Sequence, residues 1–109
     1  MAQTVVATGA FAVSSVGGTT TVFSTATGGI YSALIDLTPM VSGANLNINV
    51  NNCTIVASGL ITVTQDNFSG VQTEPLYYVP PMHTNKNFSI TVVLSSGTGP
   101  TLPFEITQF

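Results

Sequence analysis

The sequence predicts an all-β fold, an antiparallel sandwich or small barrel of about eight strands. Three observations carry this. Apolar residues alternate with Thr, Ser and Asn at a period of two, the signature of a strand with one covered face. Turn signals recur every 8–14 residues or so, as in sandwiches built from short strands. No segment offers helical spacing with plausible caps, and the strong helix formers Glu, Lys, Arg and Gln are scarce among the 109 residues.

Taken in order, strands are predicted near residues 3–8, 11–16, 20–25, 30–37, 45–51, 54–65, 75–79, 87–95 and 102–108, the first two being one strand or an arm. Tyr31, Ala33, Ile35 and Leu37 face one way against Ser32 and Asp36, with Leu34 breaking the polar face. Leu46, Ile48 and Val50 alternate with Asn45, Asn47, Asn49 and Asn51. From Ile55 to Thr64 both faces are partly apolar, as for a strand covered on both sides. Phe88, Ile90, Val92 and Leu94 form the clearest run, against Ser89, Thr91 and Ser95. Turns are predicted at Gly17-Gly18, Gly28-Gly29, Pro39 to Gly43, Asn51-Asn52, Asp66 to Gly70 and Pro80-Pro81 through Asn87. Gly97 to Pro100 reads as a hairpin turn, since it lacks the lysine and following helix of a phosphate cradle. The predicted core is Tyr31, Ile35, Leu37, Leu46, Ile48, Val50, Ile61, Val63, Phe88, Ile90, Val92, Leu94, Phe104 and Ile106. The chain forms one domain: residues 30–109 make a sandwich of jelly-roll or immunoglobulin-like type. Residues 1–29, rich in Gly, Thr and Ser, make an N-terminal arm or edge strands.

Only five residues carry a formal charge: Asp36, Asp66, Glu74, Lys86 and Glu105. An average domain has about a quarter of its residues charged. In their place stand 17 Thr, 10 Ser and 8 Asn. A free monomer keeps charge on its surface for colloidal stability, so this surface is expected to be covered by copies of itself or by a partner lattice. With one Lys and no Arg at a net charge of −3, nucleic acid and anionic membranes are excluded as partners. No apolar run approaches the ~18 residues of a membrane helix. Met1-Ala2-Gln3-Thr4 carries no basic residue, which predicts no secretory signal and synthesis in the cytoplasm.

Catalysis finds little support. The four carboxylates share no motif, and a small hydrolase using Asp36, Asp66 or Glu74 is the weakest of the readings. His83 and Cys53 are each the sole residue of their type, so neither a metal set nor a disulfide is expected. A Cys53–His83 nucleophile pair would need a third group to orient the base, and a semi-buried thiol is the simpler role. No catalytic residue and no cofactor are expected. Tyr77-Tyr78 followed by Val79-Pro80-Pro81 is the one aromatic cluster, suited to a subunit contact. The expected partner contacts are Tyr77, Tyr78, Pro80, Pro81, Met82 and His83, with Phe11 and Phe23 of the N-terminal stretch.

Three segments carry a resemblance. Ile30 to Met40 (IYSALIDLTPM), with Gly43 and the Asn45 to Val50 strand, resembles the opening hairpin of small β-sandwich virion proteins of tailed bacteriophages. Those carry a "Φ-x-Φ-D-L-S/T-x-M-x-x-G-D" segment. Phe68-Ser69-Gly70-Val71-Gln72 with Pro75 and Pro80-Pro81 is similar to their middle portion. The stretch from Leu94 to Ile106 resembles their "L-x-Q-x-x-G-T-G-R-x-Φ-P/D-W/Y-x-Φ" ending. Pro100 stands where relatives have Arg, and Asn45 replaces an acidic residue, so any ion pair at those positions is missing here. The resemblance, over residues 30–109, implies a structural virion protein assembled in the host cytoplasm. Its expected role is capsid decoration: a homo-oligomer, a trimer, cementing the major capsid protein across capsomers. The alternative it leaves is a tail or fibre component whose Tyr77-Tyr78 face binds a host glycan.

Overall fold

Alternating strands bury one face only by pairing side by side and stacking, and this chain does both twice. A computed structural model describes residues 3–13, 15–53 and 59–109. Eight strands run in the order β1 (Thr4–Ala12), β2 (Thr19–Thr25), β3 (Gly29–Asp36), β4 (Asn45–Asn52), β5 (Ile61–Ser69), β6 (Leu76–Thr84), β7 (Phe88–Ser96) and β8 (Thr101–Gln108). They form two four-stranded sheets, β1-β8-β3-β6 (sheet A) and β2-β7-β4-β5 (sheet B), with every pairing antiparallel. This order is the jelly-roll form of the β-sandwich, two interlocked Greek keys. No helix occurs among the described residues.

The inward-facing rows pack as the alternation predicts. Ile35, Leu46, Ile48, Val50, Phe88, Ile90, Val92, Leu102 and Ile106 are fully buried between the sheets. An aromatic group closes one part of that interior. The Tyr31 and Phe88 rings stack at 5.1 Å and 13°, and Phe23 leans on both at 5.9 and 6.3 Å. Phe104 is half-buried, edge-on to Phe11 at 5.8 Å.

Several elements differ from the sequence reading. Ile61 and Val63 are not in the core; they are 50% and 45% exposed. Val63 is the extra residue of a bulge, lying between the pairs Val50–Thr64 and Asn51–Thr62. Ile61 begins an edge strand with half its surface in water. Asn51-Asn52 is not a turn but the end of β4, and Asp66 to Ser69 continue β5 rather than leave it. Pro80-Pro81 lie inside β6, which extends to Thr84. Proline removes a ladder donor, but β6 is an edge strand paired only with β3, where that loss is tolerated. The two prolines together oppose the single residue Ser32 in a second bulge. The predicted strands 3–8 and 11–16 are one strand, and the start of the predicted 54–65 strand lies outside the described residues.

Neither predicted hairpin exists. β7 and β8 belong to different sheets, as do β3 and β4, so Gly97–Pro100 and residues 37–44 carry the chain across the sandwich. Only β4 and β5 are neighbours both in sequence and in a sheet. The crossings gather at two ends and are tied backbone to backbone. At one end Val13 N–H donates to Pro100 O (2.9 Å), Gly17 N–H to Leu94 O (2.9 Å), Leu37 N–H to Pro75 O (2.6 Å) and Gly70 N–H to Ala44 O (2.8 Å). At the other, Asn85 N–H donates to Cys53 O (2.9 Å) and Cys53 N–H to Asn87 O (3.1 Å). The buried Thr84 hydroxyl caps that end by donating to Asn87 O at 2.6 Å.

Candidate functional site

Four surfaces follow from this topology: the outer face of each sheet, the side wall of the edge strands β5 and β6, and the opposite wall of β1 and β2. The outer face of sheet B is an amide and hydroxyl lattice that largely satisfies itself. Asn67 Nδ2 donates to Asn45 Oδ1 (2.7 Å) and Asn47 Oδ1 (2.8 Å), and Asn51 links Ser89 (3.1 Å) to Thr62 (2.6 Å). That pairing explains how Asn45, Asn47 and Asn51 sit in a strand they would otherwise disfavour, whereas Asn49 Oδ1 is buried with no hydrogen-bond partner.

The β5–β6 wall is closed from inside by Asp66 and Tyr77. Tyr77 faces inward opposite Ile35 and donates its hydroxyl to Asp66 Oδ2 at 2.5 Å, while Phe68 meets its ring edge-on at 5.2 Å. Burial, then the hydrogen bond to Asp66 and its negative charge, push the Tyr77 phenol well above its ordinary value of 10.0. The folded state therefore holds this proton more tightly than the unfolded chain. The stabilisation is intact below pH 10.0 and is lost as pH rises beyond it. Accordingly, wild-type stability should fall more steeply above pH 10 than that of Tyr77→Phe, measured by urea unfolding at stepped pH. At neutral pH the same substitution should cost about 1 kcal/mol, because Asp66 loses its donor. Equal alkaline slopes would show that the phenol is not held in this way.

Outside that closure the wall is apolar. Leu60, Ile61 and Val63 are exposed along β5, with Val71 at 70% in the β5–β6 link. The exposed Leu76 and Tyr78 instead flank the inward Tyr77 and face the outside of sheet A, and Val5, Val6, Val16 and Val41 are exposed elsewhere. Pro80 and Pro81 are exposed as well. The expected contact residues thus divide. Tyr78, Pro80, Pro81 and His83 are exposed on β6, whereas Tyr77 and Met82 are half-buried against the core. Phe11 is buried in the core and Phe23 packs beside Tyr31, so these two rings serve the interior of this chain.

The outer face of sheet A brings together residues far apart in sequence. Register places Thr8, Glu105, Leu34 and Tyr78 side by side across the four strands, with Asp36 opposite Leu76 one step along. Asp36 and Glu105 lie diagonally on neighbouring strands, about 7–8 Å apart by sheet geometry. They line one depression of about 300 Å³ with Leu34, Leu76 and Pro103. A second, of about 240 Å³, shares Leu34 and Glu105 and is flanked by Tyr78, Ser32 and Thr107. The Thr38 hydroxyl and N–H donate to Asp36 Oδ1 at 2.5 and 2.9 Å, which holds that carboxyl below its usual range. Asp66 is turned into the wall and Glu74 lies in the exposed β5–β6 link, so Asp36, Asp66 and Glu74 do not converge. Cys53 is fully buried while His83 is exposed. Among the described residues no three metal-binding side chains cluster, and no helix is long and apolar enough to cross a membrane.

The juxtaposition of Asp36 with Glu105 was not visible in the sequence, because only the β3–β8 pairing creates it. The one signal was Leu34, the apolar residue breaking an otherwise polar face. No family model, curated protein or solved structure matches this chain. The fold places it among eight-stranded jelly-roll sandwiches.

Proposed function

We propose that this chain is a structural subunit of a virus particle, a decoration protein that binds across the subunits of a bacteriophage head and associates with copies of itself. One observation carries the reading. A jelly roll with five charged residues leaves Leu60, Ile61 and Val63 exposed together along its β5 edge. Exposed apolar surface gathered on one side of a low-charge molecule is surface suited to a protein partner. The β5 edge supports this further. It contains no proline and no lysine, so its protection against strand addition rests on the bulge at Val63 and the inward-turned Asp66 alone. Neutral Thr, Ser and Asn can meet a partner without the desolvation cost of charges.

The test is native mass of the purified chain together with binding to assembled shells of the same virus. A trimer at three times the 11.3 kDa chain mass is expected. Ile61→Asp with Val63→Asp should yield folded monomer, since both side chains are already half in water. Shell binding should survive from low to moderate salt, because few ion pairs contribute to it. A wild-type monomer without affinity for any shell would overturn the proposal.

A further inference from the structure

We propose that the trough across the outer face of sheet A is a binding site for neutral carbohydrate. This goes beyond the shell reading and does not rest on it, because the trough and the Ile61–Val63 wall are separate surfaces.

The two depressions adjoin at Leu34 and Glu105, which line both and stand between them on the outer face of sheet A. The larger, about 300 Å³, is shallow and open, a surface that a ligand would lie on rather than enter. Its apolar lining is Leu34, Leu76, Pro103 and Phe104, and that of the smaller includes Leu34 and Tyr78. Polar groups project among them at intervals. Asp36 and Glu105 stand near the middle, with Thr8, Ser32 and Thr107 toward the flanks. A pyranose matches this pattern. Its C–H faces pack on Tyr78 and the aliphatic side chains, while its hydroxyls donate to fixed acceptors. Tyr78 is 53% exposed and pairs across the strands with Leu34, the arrangement of an open platform rather than of a core ring.

Charge selects among ligands. Two of the chain's four carboxylates face these depressions, while its single lysine, Lys86, lies in the β6–β7 link outside the lining. Uronates, sialosides and phosphates would meet two negative charges with no cation to offset them. A peptide strand is a poor fit as well, because the four backbones beneath the depressions are engaged in their own ladders and the face offers only side chains. A lipid chain would strand the carboxylates in apolar contact. The Thr38 clamp fixes Asp36 through Oδ1, so the carboxylate is oriented before a ligand arrives.

The experiment is a printed array of neutral hexose and N-acetylhexosamine oligosaccharides beside sialylated and uronate-containing ones, probed with the full chain. Retention of neutral glycans over acidic ones is expected. The best neutral oligosaccharide is then titrated into isotope-labelled protein. Shifts should cluster at Leu34, Tyr78 and Glu105. Tyr78→Ala and Glu105→Gln should each weaken binding roughly tenfold, while the Ile61→Asp, Val63→Asp variant binds as wild type. Both trough substitutions are at exposed positions, and unchanged urea midpoints confirm that the fold is kept. Preference for acidic glycans, no retention at all, or shifts away from the trough would overturn the site. Because the wall variant separates the two surfaces, glycan binding can fail while self-association stands, and the reverse.

Discussion

Phe88→Ala is expected to cost about 3–5 kcal/mol, the range for removing a buried aromatic side chain. Phe88 has no exposed surface, and its ring is held between Tyr31 at 5.1 Å and Phe23 at 6.3 Å. Truncation leaves a void bounded by two rings on strands from different sheets, neither of which can collapse inward without abandoning its own ladder. Domains of this size are stable by about 5–15 kcal/mol, so the variant should be partly unfolded at 25 °C if the parent lies near the lower end. Urea unfolding followed by far-UV circular dichroism measures this. Ile61→Ala is the comparison, expected within about 0.5 kcal/mol of wild type because its side chain is half solvated. Similar costs for the two would mean that the core has been assigned to the wrong rows.

The second large effect is at Gly97, whose φ of +81° is a conformation that side-chain-bearing residues rarely adopt. A Cβ there would overlap the Gly43 carbonyl oxygen and lie 2.7 Å from Ala44 Cα and 2.8 Å from Ala44 N. Those are backbone atoms of the β3–β4 crossing, which cannot rotate aside. Gly97→Ala thus combines the left-handed penalty of about 1–2 kcal/mol with overpacking of about 1–3 kcal/mol, on the order of 3 kcal/mol together. Gly17→Ala isolates the first contribution. Gly17 has φ +85° with no atom within 4 Å of a built Cβ, so only the conformational part should appear. Equal costs at Gly17 and Gly97 would show that the two crossings do not meet as described.

The strands were legible where one face is continuously covered. Phe88 to Leu94 and Leu46 to Val50 announced themselves by alternation, and the alternating residues Phe88, Ile90, Val92, Leu94, Leu46, Ile48 and Val50 are all buried. What alternation does not encode is the partner. Nothing local in Thr101–Gln108 says that this strand inserts between β1 and β3, and the two supposed hairpins failed for that reason. Pro80-Pro81 and Asp66 read as chain breakers because a missing donor and a buried charge are costly in a central strand. On an edge strand the donor is not needed, and Asp66 receives the Tyr77 hydroxyl from the other sheet. Ile61 and Val63 looked like core because a period of two does not distinguish an inner face from a wall, and a bulge displaces one of them from the ladder. The trough was half legible: Leu34 and Tyr78 stood out, whereas the approach of Glu105 to Asp36 exists only once the chain has closed on itself.

The place of β8 also constrains how the molecule comes into being. Sheet A has no join between β1 and β3 until the last strand arrives, so its first nine-residue strand waits with no neighbour of its own sheet. Every residue from β1 through β8 must be synthesised before that half of the sandwich can close. Topologies dominated by such distant pairings fold in roughly milliseconds to seconds. Until then β1 has no partner in its own sheet, and a copy of β8 from another nascent chain could reach it first.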